Sequence, residues 1–195
     1  LGMMLWNNGR RDAAKPHIRD AIAHNVKLTA EAPRIVQYRL DLAKDRINFA
    51  LLLRSAGEYQ DAAAVLKEDR AACEALLSDF PDVPRHKQVL AQVNNRLAVT
   101  LRELGDAEES EAAFLRSVKL YESLVDAAPT NVEYRRELGD CLNNMGILLA
   151  AAPARKPDAD ATLRRAVTIL EKVAAEQPSR EYRKGLGQAL SNLGL

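Results

Sequence analysis

Few side chains in this 195-residue sequence have chemical reach, and their spacing decides what they can do. Cys73 and Cys141 stand without a CxxC pair or a neighbouring histidine. They therefore offer neither a disulfide framework nor a zinc site, and a reducing cytoplasm is the simpler setting. His17, His24 and His86 fall on non-matching positions, which fits surface or helix-end roles and not metal ligation. No GxGxxG, P-loop, HExxH or GxSxG pattern occurs, and no paired carboxylates share an apolar setting that would make one an acid and the other a base. No catalytic activity, cofactor or metal is expected. What recurs is hydrogen-bonding capacity without reactivity. Asn48, Arg96, Asn144 and Asn192 lie 48 residues apart, and Lys44, Gln92, Asp140 and Gln188 keep that interval four residues earlier, with Asn95 and Asn143 beside them. A carboxamide both donates and accepts, so such a series can satisfy the N–H and C=O groups of an extended peptide while reading little of its sequence. The alternative reading of the same asparagines is as solvated or helix-packing residues.

The interval of 48 belongs to the whole chain. Tyr38-Arg39, His86-Lys87, Tyr134-Arg135 and Tyr182-Arg183 keep it; so do Pro33, Pro81 and Pro129, and Gly9, Gly57 and Gly105, with Pro153 in the fourth glycine place. Small residues recur at Gly2, Ala50, Ala98, Gly146 and Gly194, each after a bulky apolar one; they mark a close helix–helix approach that a larger side chain would overpack. Between each Tyr-Arg mark and its Gly or Pro breaker the apolar residues fall at helical spacing, as in Leu42, Ile47, Phe49, Ala50 and Leu53. We call this stretch helix A. After the breaker a second periodic stretch, helix B, runs as in Ala62, Leu66, Cys73, Leu76 and Leu77. Gly57-Glu58 and Gly105-Asp106 place a C-terminal glycine on one helix and an acid at the start of the next. Each repeat is a helix pair that cannot bury its apolar face alone, so neighbours must stack.

Asn192-Leu193-Gly194 and Asn144-Met145-Gly146, followed in the repeat by a turn such as Gly57-Glu58-Tyr59-Gln60-Asp61-Ala62 and then Leu66, resemble the tetratricopeptide repeat. Ala14, Ile18 and Ala21, and Ala159, Leu163 and Ala166, repeat its helix B spacing. The resemblance covers the entire chain. The usual period is about 34 residues; here seven residues are added to the end of helix B and seven to the start of helix A, about two turns or roughly 10 Å on each. Long repeats of this kind resemble those of bacterial multidomain proteins, some behind a serine/threonine kinase domain. The resemblance implies that helix A lines a concave face receiving peptides, which puts the carboxamide series on that face. The site one turn after the series holds Leu51, Val99 and Ile147, so the family's clamp for a terminal carboxylate is incomplete.

Composition narrows the partner. With 28 Lys plus Arg against 27 Asp plus Glu, the formal charge is +1, too little to displace counterions from a nucleic acid. Charge runs from +3 over residues 1–37 through −2 and −3 to +3 over 134–195, so no tail stands out. No apolar stretch reaches the roughly 20 residues of a membrane span. Two details stay open. Trp6, just before the Gly9 turn, fits either an exposed interface anchor or an exposed side chain that packs on a neighbour missing from this sequence. The stretch Ala152–Asp158, which replaces the glycine turn, is either a binding edge or a harmless insertion. Glu108, Glu109 and Glu111 with Arg116 read as a solvated face with helix-spaced ion pairs.

The expectation is an all-α, right-handed α-solenoid of about four antiparallel helix–turn–helix repeats. It forms one array over 1–195, with partial repeats 1–37 and 182–195 flanking 38–85, 86–133 and 134–181, and reads as a piece of a longer protein. Its expected work is as a cytoplasmic scaffold binding a protein or peptide, without nucleic acid or membrane. Self-association through exposed terminal repeats and a regulatory or substrate-presenting role within a larger enzyme are the alternatives.

Overall fold

The computed structural model describes residues 1–194, apart from the side chain of Met3. Its helices are α1 (Gly2–Asn7), α2 (Arg11–Glu31), α3 (Val36–Ser55), α4 (Tyr59–Asp79), α5 (Pro84–Glu103), α6 (Ala107–Ala127), α7 (Val132–Ala150), α8 (Lys156–Glu176) and α9 (Arg180–Leu193), with no strand among the described residues. Within each unit the helices pack on their sequence neighbours, and the chain is an α-solenoid of helical repeats; the odd-numbered helices are helix A, the even-numbered helix B. The chain divides into two compact units, Leu1–Phe80 and one from Pro81 on, and each is described by itself.

The hairpin turns follow from backbone chemistry. Gly9, Gly57 and Gly105 have φ of +76°, +80° and +81°, and a Cβ on any of them would meet nothing within 4 Å. Glycine is needed there for its left-handed backbone and not for space. Asp106 Oδ1 then accepts from the Glu109 amide at 3.1 Å and caps α6. The fourth turn solves the problem without glycine, through a 3-10 turn over Pro153–Arg155 that leads directly into α8. Arg155 pins this turn to the preceding helix B, meeting Glu111 through Nη1 and Nη2 at 3.3 and 3.1 Å, and to Asp158 at 2.6 Å. Glu111 thus pairs across repeats. Pro16 lies inside α2, on an exposed position, and the helix continues through it.

The lengthened ends are matched by position. Arg39 Nη1 donates to Asp79 Oδ2 at 2.6 Å in the α3–α4 hairpin, and Arg135 Nη1 donates to Glu176 Oε1 at 2.6 Å at the equivalent place in α7–α8. Exposed pairs of this kind contribute about 0–1 kcal/mol each, so they fix alignment more than stability. Stability comes from close approach. Ala50 and Ala98 are buried; a Cβ on Gly146 would stand 2.6 Å from Leu163 Cγ, and one on Gly2 would stand 2.6 Å from Ile18 Cγ1. Gly194 departs from this rule: with φ of +85° it caps α9, and nothing lies within 4 Å of its Cβ position.

In the second unit a core runs through Ala91, Phe114, Tyr121, Leu138, Cys141 and Ala166. Two buried serines of α6 reach helix A carbonyls across this core, Ser110 Oγ to Ala98 O at 2.7 Å and Ser117 Oγ to Ala91 O at 2.8 Å. In the first unit the residue in the Ser117 register is Asp69, fully buried, with neither carboxylate oxygen hydrogen-bonded. Its nearest cation is Arg46, whose Nη1 stands 4.0 Å from Oδ1 while Nη2 faces Glu68 Oε2 at 3.5 Å. Burial pushes the Asp69 carboxyl up from 3.8 to about 8, against the pull of Arg46. Trp6 is buried, with Arg11 over its ring at 5.9 Å, so it packs inside its own unit and is no exposed anchor.

Candidate interaction surface

In the second unit the helices A α5, α7 and α9 meet side by side, and polar residues line their junction. Along α7, Arg136 reaches back one turn to Glu133, with Nε at 2.9 Å and Nη2 at 2.5 Å from its two oxygens, and forward one turn to Asp140 Oδ2 at 2.6 Å. Those bonds hold the Glu133 carboxyl below its ordinary range and raise the guanidinium. Asp140 goes the other way: burial raises its carboxyl, and Arg136 and Arg96 only partly oppose this. Glu137, at 7% exposure, accepts from two amides of α5, Gln88 Nε2 at 3.0 Å and Gln92 Nε2 at 2.5 Å.

The asparagines bond to one another. Asn144 Nδ2 donates to Asn95 Oδ1 at 3.3 Å, and Asn192 Nδ2 donates to Asn143 Oδ1 at 2.9 Å. Each of these bonds, like that of Gln88 to Glu137, spans 49 residues. A side chain on one helix A therefore meets the residue one place beyond its repeat equivalent on the next. Each bonded amide still keeps a free donor or acceptor.

The recurring polar positions thus sort themselves. Gln92, Asn95, Asp140, Asn143, Asn144 and Asn192 come together on the α5–α7–α9 face. Arg96 and Gln188 are exposed on the same helices without a side-chain hydrogen bond among the described residues. Lys44, exposed, and Asn48, half-buried, lie on α3 in the first unit. Gln88, Glu133, Arg136 and Glu137 join the face although the 48-residue register does not mark them; an offset of 49 would have found the pairing of Gln88 with Glu137. His17 and His24 are exposed, and His86 is buried in the first turn of α5. Both cysteines are buried thiols. Burial raises each, Cys141 to about 12 despite an opposing hydrogen bond with Ser117. They are packing residues, not nucleophiles. Among the described residues no cluster of His, Cys, Asp and Glu could hold a metal, and no helix is long and apolar enough to cross a membrane.

No curated protein matches the chain. The family model for the tetratricopeptide repeat matches residues 46–82 and 91–128. Each match takes in the later part of a helix A, a turn with a positive-φ glycine and a following helix B. The two matched hairpins are built as that repeat requires and the remaining ones keep their register, so residues 46–82 and 91–128 are tetratricopeptide repeats.

Proposed function

We propose that the chain is an interaction scaffold that receives a peptide or a protein on its helix A face, with Arg96, Asp140 and Gln188 making the contacts that choose the partner. Tetratricopeptide repeats serve generally as non-catalytic modules for protein–protein interaction. The observation that carries the finer reading is the state of the α5–α7–α9 face: its amides already hold neighbouring helices, while Arg96 and Gln188 stand exposed and Asp140 keeps Oδ1 outside its bond to Arg136. One cation, one anion and one amide on successive helices suit an extended main chain with alternating donors and acceptors. Asn95 and Asn144 add their unused amide capacity at the centre, and Lys44 and Asn48 offer the same chemistry on α3. The test is affinity capture with the chain and with an Arg96→Ala, Gln188→Ala double variant. Both positions are exposed, so the variant keeps its melting temperature. Loss of captured partners at an unchanged melt supports the assignment, and an unchanged partner set refutes it.

A further inference from the structure

The second half of α4 closes on α3 with few attachments. From Asp69 to Asp79 the buried residues are Asp69, Cys73 and Leu76. The same register positions of α6 hold Ser117, Tyr121 and Leu124, and Val118 is buried there as well, where α4 has the half-buried Arg70. A thiol thus stands in the place of a tyrosine ring, which brings far more apolar area to a helix contact. Ser117 ties α6 to the Ala91 carbonyl at 2.8 Å, whereas both carboxylate oxygens of Asp69 are buried without a hydrogen bond. At the far end of the hairpin the attachment is the exposed pair of Arg39 with Asp79.

The charges around Asp69 do not suit a carboxylate while the hairpin is closed. On α3 stand Arg46, whose Nη1 is 4.0 Å from Oδ1 and which also faces Glu68, and Arg39, which is taken by Asp79. On α4 itself stand Glu68, Arg70, Glu74 and the Cys73 thiol, with Arg70 turned to Glu74 at 3.9 Å. A proton on Asp69 removes the uncompensated charge; a helix segment that moves off α3 lets water solvate it instead. We propose that the Asp69–Asp79 segment of α4 is a pH-operated latch, shut on α3 while Asp69 holds its proton and released locally when the carboxylate forms. The rest of the first unit stays folded on release, and Cys73 becomes accessible to water. Burial raises the carboxyl of the closed hairpin to about 8, and a solvated carboxyl ionises near 4. Release therefore becomes about tenfold more populated per pH unit between those values and levels off above them. This goes beyond the peptide-binding reading and does not depend on it.

The experiment is alkylation of the 195-residue chain with iodoacetamide, with Cys73 and Cys141 followed separately by peptide mass spectrometry. Each rate is divided by that of a small thiol peptide at the same pH, which removes the change in thiolate fraction. From pH 5.5 to 7.5 the corrected Cys73 rate of the wild type should climb about a hundredfold. In Asp69→Asn it should stay flat, with Cys141 in the second unit reacting alike in both proteins. Guanidinium below the unfolding transition should leave the wild-type Cys73 rate nearly unchanged, because a local release exposes little surface. A corrected Cys73 rate that is flat with pH in the wild type, or that climbs equally in Asp69→Asn, overturns the proposal. So does a Cys73 rate that rises with guanidinium as steeply as unfolding of the first unit, since unfolding of the whole unit is then the route.

Discussion

Asp69 is a carboxyl group that the α3–α4 hairpin buries without a hydrogen bond, and its titration makes the stability of the first unit depend on pH. In the unfolded chain it ionises near 3.8, while burial raises it to about 8 in the folded state. Between those values the native protein keeps a proton that the unfolded chain has released. Stability from this group is therefore fully present below about pH 4, falls by about 1.4 kcal/mol per pH unit, and levels off once pH passes 8. From pH 5 to 8 the loss is roughly 4 kcal/mol, a large part of the 5–15 kcal/mol of an ordinary domain. Arg46, 4.0 Å away and shared with Glu68, is the cation that limits the loss, and the neighbouring Cys73 thiol stays neutral throughout. Asp69→Asn keeps the shape and removes the titration, so its stability should show none of this slope. Trp6, the single tryptophan, is buried in the same unit, and its fluorescence during guanidinium unfolding reads that unit selectively. If the wild-type and Asp69→Asn curves run parallel from pH 5 to 8, the buried-acid reasoning is wrong. Asp69→Ser offers a second reading, since a hydroxyl there is in register to reach the Ala43 carbonyl as Ser117 reaches Ala91; it should be more stable than wild type at pH 8.

Gly146→Ala and Gly187→Ala form a contrasting pair in thermal unfolding. The first should lose about 1–3 kcal/mol because the new methyl meets buried Leu163 at 2.6 Å, and the second should gain about 0.5–1 kcal/mol from helix propensity alone. Equal effects would remove close approach as the reason for glycine at 146. Glu137→Ala should cost about 1–3 kcal/mol by leaving the buried amide of Gln88 without an acceptor, with Glu137→Gln intermediate because it keeps one oxygen; a neutral Glu137→Ala in denaturant titration would contradict that accounting.

The helices were legible because three signals agreed at each: apolar spacing, a glycine or proline breaker and the 48-residue register. The burial of Asp69 is hidden from the apolar pattern, although the register holds the clue: it shares a position with Ala21, Ser117 and Ala166, where a long acid is the odd residue. Hydropathy periodicity hides such a case, since an acid between Leu66 and Cys73 reads as the polar side of a helix. The pairing of Glu111 with Arg155 was illegible for another reason. Sequence spacing proposes partners one turn apart on one helix, and here the partner comes from the next repeat, brought close by a turn of unusual length. Both readings of Trp6 took it as exposed within this chain, and its burial in its own unit bears out neither.

The carboxamide series shows how equivalence and contact part company. An interval of 48 collects residues that occupy the same place in successive repeats, whereas the bonds of Gln88 to Glu137, Asn144 to Asn95 and Asn192 to Asn143 run at 49, and Gln92 reaches Glu137 at 45. A polar residue is consumed in holding the repeats together when the position 49 away is also polar, as Asn95 is with Asn144 and Asn143 with Asn192. On the proposed reading it is left for a partner when that position is not and no other helix A acceptor is in reach, as Glu137 is for Gln92. Arg96 stands 49 before Met145, and Gln188 stands 49 after Gly139, so neither has a mate on the adjoining helix. Asp140 stands 49 before Ala189 and 49 after Ala91, and it turns instead to Arg136 on its own helix. If Arg96, Asp140 and Gln188 contact a partner as proposed, the same residue types at the same interval do two jobs, and the one-residue stagger between helices separates them.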